Sequence, residues 1–289
     1  MKTNANVRCL PMLVVAMTAG LLVSLESLGG VTSGMAFRRM MLSQYGKEIA
    51  AGSEKAKAYH VIDVDVPAGG REAEQVSCFI GELLVQSSNE TATCSRNLDC
   101  AKAGPCDFGR AVGLLRKAFF AKSERMAFAG FAFIEGRMDL SDERYVAYSV
   151  HENSWCGSRT GGDYVTAFGV YGRQQGRRLV LADFFNADKL PQLDKLIRDA
   201  YAVRGPRGNL GSYEEFRKRF PMDPDGMTSD PSANDNFTIT PHGFKWAYLD
   251  RDIVGVLSAA KEFPIEIEVP WVKVEPLLKD PALMPMIRF

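Results

Sequence analysis

The chain has 289 residues, and its 35 lysine and arginine residues are balanced by 35 aspartate and glutamate residues, so its formal net charge is zero. A chain with this balance offers no extended basic surface for phosphates, which argues against a nucleic-acid-binding protein. Hydrophobic residues make up 46% of the chain and charged residues 24%, as in ordinary globular proteins. These values exclude a disordered or fibrous chain, and we expect a folded protein that binds no nucleic acid.

The N-terminus has the order of features found in secretory signal peptides. Lys2 and Arg8 precede a mainly apolar run of 16 residues at 10–25, and small residues follow up to Ala36. The run is short for a membrane-spanning helix, which needs about 20 residues, so an uncleaved anchor is the alternative. We predict that residues 1–36 are a signal peptide or an N-terminal anchor. The rest would be exported to the periplasm or the cell exterior, with the membrane touched only through residues 10–25 if they are not removed.

The five cysteines after this segment fit an exported protein, because disulfides persist outside the cytoplasm. Three of them fall in a stretch at 93–109 that is rich in Gly, Pro, Asn and Asp and is typical of a loop. These three are spaced six residues apart without a histidine nearby, which argues against a zinc site. We therefore predict disulfides rather than a metal or another cofactor, with one thiol left over and the pairing open. The candidates are Cys78, Cys94, Cys100, Cys106 and Cys156.

The first half of the exported chain has the pattern of an α+β protein. Residues 37–58 are mixed and polar, which predicts a tether or a frayed helix, and ordered structure is expected from Tyr59. Apolar residues at 62, 64 and 66 alternate with Asp63 and Asp65, which predicts a strand with both carboxylates on its solvent face. The remaining elements predicted up to residue 155 are a strand or helix at 76–85, a helix at 111–122, and strands at 127–134 and 145–150.

From residue 155 onward, a glycine-rich loop leads into hairpins and short helices. A strand at 163–171, a turn and a return strand at 178–181 predict a β-hairpin. Ser212, followed three residues later by Glu215, is a capping box that opens a short helix. Trp246 lies in a predicted strand at 244–248 and is expected in the core. The other predicted elements are a helix at 190–203, strands at 237–239 and 265–269, a turn at 240–243 and a terminal helix at 272–279.

These elements predict an α+β fold in which antiparallel sheets carry helices packed on one face. We divide the exported chain into the tether at 37–58, an N-terminal α+β region at 59–155 and a C-terminal domain at 156–289.

The order of motifs from Gly161 to Lys279 resembles a known family. The matching motifs are Gly161-Gly162-Asp163-Tyr164, Leu181-Ala182-Asp183-Phe184-Phe185, Asn236-Phe237 and Val269-Pro270-Trp271. They are similar to those of the extracytoplasmic domain-of-unknown-function family found at the C-terminus of the lysozyme-sensing anti-sigma factor RsiV. The resemblance implies the same α+β fold and lysozyme as a partner. Nine residues precede the apolar run, so we expect no sigma-binding segment.

No catalytic motif stands out in the sequence. The three histidines, His60, His151 and His242, follow no metal-ligand spacing. Cys156 lies five residues after His151, an offset that rarely places a base beside a thiol. Glu135 and Asp139 could form the carboxylate pair of a glycosidase, which requires a fixed separation that sequence does not give.

We therefore favour an exported, non-catalytic binding or sensor module of the bacterial cell envelope, recognising lysozyme or a cell-wall component. Its candidate ligand-binding residues are the aromatic Trp155 and Tyr164 beside the glycine-rich loop and His242 in the predicted turn. The alternative is an envelope hydrolase whose site is assembled from scattered residues. A deep pocket with a carboxylate pair or a Cys–His contact would favour the hydrolase, and a flat aromatic patch beside the loop would favour binding.

Overall fold

The structure, a computed structural model, confirms the α+β class. It describes residues 35–51, 54–90, 98, 106–125, 129–155, 163–204, 210–222, 229–249, 253 and 264–285. The strands are β1 (Phe37–Ala51), β2 (Glu54–Pro67), β3 (Phe131–Ser141), β4 (Tyr145–Trp155), β5 (Asp163–Gly172), β6 (Arg177–Leu179), β7 (Phe237–Ile239), β8 (Gly243–Tyr248) and β9 (Ile265–Pro270). The helices are α1 (Arg71–Glu90), α2 (Phe108–Arg125), α3 (Leu181–Phe184), α4 (Leu190–Arg204), α5 (Tyr213–Arg219) and α6 (Trp271–Val274).

A six-stranded sheet with the order β1-β2-β3-β4-β5-β6 forms the centre of the molecule. Strands β2 and β3 run parallel, and the other neighbours run antiparallel. A parallel pair needs a crossover connection, and here α1 and α2 supply it. Strand β4 pairs with β5 along its length, from Tyr145 opposite Gly172 to Ser154 opposite Asp163. The regions predicted at 59–155 and 156–289 therefore share one sheet.

The prediction of a tether at 37–58 is wrong. Strand β1 pairs with β2 from Phe37 opposite Pro67 to Ala51 opposite Glu54. Asp63, predicted on a solvent face, is only 2% exposed. The two differences are linked, because Arg39 on β1 lies over the Asp63 carboxylate and covers it. Only a few apolar residues of this edge strand, among them Met40 and Leu42, pack against the core, so its apolar period is too short to stand out in the sequence.

Helices α1 and α2 cover one face of the large sheet. The stretch at 76–85, predicted as strand or helix, is part of α1, and the helix predicted at 111–122 is confirmed as α2. Even-numbered residues of β2 and β4 meet these helices in a core formed by, among others, Ile62, Val64, Phe79, Leu83, Leu115, Tyr148 and Val150. One face of the sheet is thereby removed from solvent.

On the opposite face, β4 and β5 pack against the second sheet, which has the order β7-β8-β9, and α4 packs against β9 with α5 beside it. Trp246 is fully buried here, which confirms its predicted place in the core. This second core includes Ala147, Val170, Phe184, Ile197, Phe216, Phe237, Phe244, Trp246, Ile267 and Trp271. It covers the β4–β6 end of the large sheet.

Local sequence patterns predicted most of the elements in the C-terminal part of the chain correctly, and the terminal helix is the exception. The hairpin of β5 and β6 is confirmed, and Ser212 Oγ accepts a hydrogen bond from Glu215 N at the start of α5. The terminal helix predicted at 272–279 is wrong. Helix α6 makes a single turn and gives way to a 3-10 turn at Glu275–Leu277, because Pro276 has no N–H to continue the α-helical ladder.

The predicted signal peptide or anchor at 1–36 and the predicted disulfides fall largely outside the described residues. Among those residues, no helix is long and apolar enough to cross a membrane. Cys78 is half-buried on α1, and Cys106 is buried just before α2. Cys94, Cys100 and Cys156 lie outside the described residues, so the pairing of the cysteines stays a prediction.

Candidate functional site

One end of the large sheet presents apolar side chains to solvent. Odd-numbered residues of β1 from Arg39 to Tyr45, of β2 from Tyr59 to Asp65 and of β3 from Phe131 to Arg137 point away from the two helices, and we call this surface the open face. It carries Met41, Tyr45, Tyr59 and Phe133, which are 55%, 69%, 42% and 36% exposed. These are four of the seven exposed large hydrophobic side chains in the described part of the chain. A concentration of this kind marks a contact surface rather than scattered exposure.

Four aromatic rings cross the open face side by side and form what we call the aromatic row. Strand register makes neighbours of Tyr45, Tyr59, Phe131 and Trp155 on β1 to β4. The ring centroids of Tyr45 and Tyr59 are 6.3 Å apart, and those of Phe131 and Trp155 are 6.4 Å apart. Tyr59 and Phe131 stack at 6.1 Å with 23° between their planes. These spacings suit attractive ring contacts.

A pocket of about 300 Å³ lies next to the aromatic row, and we call it the glutamate pocket. Its wall is formed by the next two sets of opposed residues along β3, β4 and β5. Phe133 lies opposite Asn153, which lies opposite Tyr164, and Glu135 lies opposite His151, which lies opposite Thr166. Glu266 on β9 completes the wall from the smaller sheet. The pocket therefore forms where the smaller sheet ends and the open face begins.

Polar contacts join the two sheets at this pocket. His151 Nδ1 lies 3.0 Å from Thr166 Oγ1, and His151 Nε2 lies 3.8 Å from Glu266 Oε1. The other oxygen of Glu266 lies 3.2 Å from Lys245 Nζ, and that ammonium stands 5.1 Å from the ring centroid of Phe168. The described residues contain no group of three or more His, Cys, Asp and Glu side chains that could hold a metal ion.

A second ionic network lies beneath the pocket on the same face. Arg39 donates to both carboxylate oxygens of Asp63, at 2.9 and 2.5 Å, and Arg137 donates to Asp63 Oδ2 at 2.8 Å. The hydrogen bond with Arg39 is the largest cause of the lowered pKa of Asp63. Arg137 also lies 2.6 Å from Glu135 Oε1. This network fastens the edge strand β1 to the sheet.

The carboxylate pair considered from sequence, Glu135 with Asp139, is not assembled in a common pocket. Asp139 accepts hydrogen bonds from Thr238 Oγ1 and Ser149 Oγ, and Lys245 Nζ is 3.9 Å away. Burial raises the pKa of Asp139, although these neighbours act in the opposite direction. Glu135 instead shares the glutamate pocket with Glu266, a residue that sequence analysis assigned only to a strand.

A further pocket of about 280 Å³ adjoins the glutamate pocket at Thr166. Its polar side chains already serve the fold. Asn236 accepts from Phe168 N at 2.6 Å and donates to Thr166 O at 3.0 Å. Asp230 accepts from Tyr213 and Arg217. We therefore assign this pocket to structure rather than to ligand binding.

The structure brings together two of the three predicted ligand-binding residues. Trp155 ends the aromatic row, and Tyr164 lines the glutamate pocket. His242 lies in the β7–β8 turn, where its N–H donates to Thr240 Oγ1, and it lines neither of the two pockets. Cys156 lies outside the described residues, so a Cys156–His151 contact stays untested.

Sequence analysis missed Tyr45, Tyr59, Phe131 and Phe133. A signal existed for the last two, because Phe131 and Phe133 alternate within one strand and must therefore share a face.

No protein-family model and no curated protein sequence matches this chain. Solved structures that are similar in fold include two members of one family. A member of the DUF3298 family from Bacteroides fragilis has 16% identity and a TM-score of 0.62, with 88% of this chain and 97% of that chain covered. A DUF3298 family protein from Pseudomonas aeruginosa has 14% identity and a TM-score of 0.60, with 89% and 100% covered. The chain is therefore similar in fold to proteins of a family whose domain has no assigned function.

Proposed function

We propose that this protein is an exported, non-catalytic binding module of the cell envelope, and that its open face binds a glycan strand of the cell wall. The observation that carries the proposal is the aromatic row, which continues without interruption into the glutamate pocket. The two exposed tyrosines at its outer end, Tyr45 and Tyr59, are accessible without any rearrangement of the fold.

The chemistry of a sugar chain suits this surface. A sugar ring has an apolar C–H face that can lie on an aromatic ring and a rim of hydroxyl groups that seek hydrogen bonds. The aromatic row provides the first kind of contact. The next rungs provide the second, because Ser43, Asn153 and His151 lie on the same face as the rings. Ligand sites commonly combine an apolar wall with a few polar groups in this way.

Export is part of the proposal and rests on the N-terminal sequence. The basic residues, apolar run and small residues within 1–36 support it, and so do the cysteines of the 93–109 stretch, which we propose to be disulfide-bonded.

Lysozyme is the partner implied by the resemblance to RsiV, so it is the competing ligand in the binding experiment below. We favour a glycan because the exposed rings stand in a single row beside a polar pocket. A stable protein–protein interface would instead have an apolar centre surrounded by a polar rim.

Glycan hydrolysis is the second candidate function, favoured by one observation. Glu135 and Glu266 line the same pocket, and glycosidases use two carboxylates on either side of the bond that they cleave. Each of these carboxylates already has a cation close by, Arg137 at 2.6 Å from Glu135 and Lys245 at 3.2 Å from Glu266. This arrangement suits a fixed binding site better than a pair that exchanges protons with a substrate.

The test is co-sedimentation of the purified exported chain with insoluble peptidoglycan, beside a pull-down with lysozyme and an assay for released sugar fragments. We expect retention by peptidoglycan, loss of retention in the Tyr45→Ala/Tyr59→Ala double variant, and no released fragments. Val272→Ala is the control, since Val272 is 76% exposed on α6. If the protein binds lysozyme but not peptidoglycan, the glycan proposal is contradicted. If sugar fragments are released by the wild type and not by Glu135→Gln, the protein is a hydrolase.

A further inference from the structure

We infer that the glutamate pocket binds the primary ammonium group of an amino sugar, so that the module selects glycans whose amino groups lack an acetyl group. This inference rests on the proposed glycan function and adds the chemical class of sugar that the pocket prefers.

The pocket wall offers more acceptors than donors. The side chains of Glu135 and Glu266 remain 40% and 37% exposed, so both carboxylates are open to a ligand. The amide oxygen of Asn153, another wall residue, is buried without a hydrogen-bond partner. A rotation about the last torsion of Asn153 would turn this acceptor toward a donor, because that torsion is soft. A ligand with several N–H donors satisfies such a set.

Charge around the pocket points to a cationic ligand. Among the described residues, the four carboxylates of Asp63, Glu135, Asp139 and Glu266 share three lysine and arginine side chains. The three are Arg39, Arg137 and Lys245. Arg137 serves both Asp63 and Glu135, and Lys245 serves both Asp139 and Glu266. A ligand ammonium would add positive charge beside these four carboxylates, which outnumber the three described cations that they share.

The aromatic side chains of the glutamate pocket also favour a ligand ammonium group. Phe133 and Tyr164 line the pocket, and an ammonium over an aromatic face gains a cation–π attraction. The protein already uses this contact next to the pocket, where Lys245 Nζ stands over the Phe168 ring. An acetylated amine is neutral, so it gains neither this attraction nor the attraction of the two carboxylates. The pocket should therefore distinguish the two forms of the sugar.

The test is calorimetry on the purified exported chain with two soluble probes, a glucosamine tetramer and its fully N-acetylated counterpart. We expect the wild type to bind the glucosamine tetramer at least about tenfold more tightly, which corresponds to about 1.4 kcal/mol. Glu135→Gln and Glu266→Gln should reduce that preference toward unity while leaving the affinity for the N-acetylated tetramer nearly unchanged. The control is Glu214→Gln, since the Glu214 side chain is 80% exposed on α5. Circular dichroism would show that each variant remains folded.

Each possible result decides one of the two proposals. Equal wild-type affinity for both tetramers would overturn the ammonium inference and leave the glycan function standing, as would a preference that survives both glutamine variants. Tighter binding of a lysine tetrapeptide than of the glucosamine tetramer would overturn the assignment to an amino sugar. If the wild type binds neither tetramer, both the inference and the glycan function fail.

Discussion

Tyr59 and Phe131 lie opposite each other on the parallel strands β2 and β3, and their rings stack at 6.1 Å. The two residues are far apart in sequence, and α1 and α2 lie between them. Their contact therefore depends on the register of the parallel pair, since a shift by one residue would turn one ring toward the helices. The aromatic row is a product of the tertiary fold rather than of a local motif.

Two helical glycines should respond in opposite ways to substitution by alanine, because Gly81 lies where α1 closely approaches the segment before α2 and Gly113 faces open space. A Cβ at Gly81 would meet the carbonyl oxygen of Cys106 and lie 3.0 Å from the carbonyl carbon of Asp107. A Cβ at Gly113 on α2 would meet nothing within 4 Å. We expect Gly81→Ala to destabilise the protein by about 1–3 kcal/mol and Gly113→Ala to stabilise it by about 0.5–1 kcal/mol. Urea unfolding measures both, and a stabilising Gly81→Ala would contradict this packing.

Asp63 predicts a component of stability that depends on pH. Its pKa is lower in the folded protein than in the unfolded chain, chiefly because Arg39 donates to it. The stabilisation is therefore present above the ordinary range of an aspartate and is lost as the pH falls through the folded-state pKa. We expect Asp63→Asn to be less stable than the wild type by about 2 kcal/mol at neutral pH, and this gap to shrink in acid.

Unfolding curves at about pH 7 and about pH 3 measure this gap. The control is Asp188→Asn, because the Asp188 side chain is 70% exposed and pairs only loosely with Lys189 at 3.6 Å. A gap for Asp63→Asn of the same size at both pH values would show that its carboxylate charge contributes nothing.

Asn236 predicts a stability effect at the junction of the two sheets. Its side chain accepts from Phe168 N and donates to Thr166 O, which ties the chain before β7 to β5. Asn236→Ala would leave the N–H of Phe168 without this partner and should cost about 1–3 kcal/mol. Asn186→Ala is the matched control, since Asn186 is exposed and makes no side-chain capping bond. Equal unfolding free energies for the two variants would contradict a bridging role for Asn236.

The sequence predicted the local parts of this fold well and the long-range parts poorly. The β5–β6 hairpin, the Ser212 cap and the burial of Trp246 follow from turn residues, capping chemistry and alternation over a few positions. Strand β1 was missed because it is a largely polar edge strand with few residues on the core, among them Met40 and Leu42, and because the Arg39–Asp63 contact joins two distant strands.

The site shows the same division. Trp155 and Tyr164 were chosen as aromatic residues beside a glycine-rich loop, and both reach the candidate surface. Their neighbours Tyr59 and Glu266 come from distant strands, so no local pattern in the sequence could place them there. The predicted turn at 240–243 points to His242, and that turn forms, but His242 does not line the glutamate pocket.

The most direct test of the glycan proposal uses the chain's own tryptophans. Trp246 is fully buried and Trp271 is 7% exposed, whereas Trp155 is half-buried at the end of the aromatic row. We expect soluble peptidoglycan strands to shift the fluorescence of the wild type and not that of Trp155→Phe. Tyr45→Ala/Tyr59→Ala should weaken the apparent affinity by about tenfold or more. An unchanged wild-type spectrum, or equal affinity in the double variant, would contradict glycan binding on the open face.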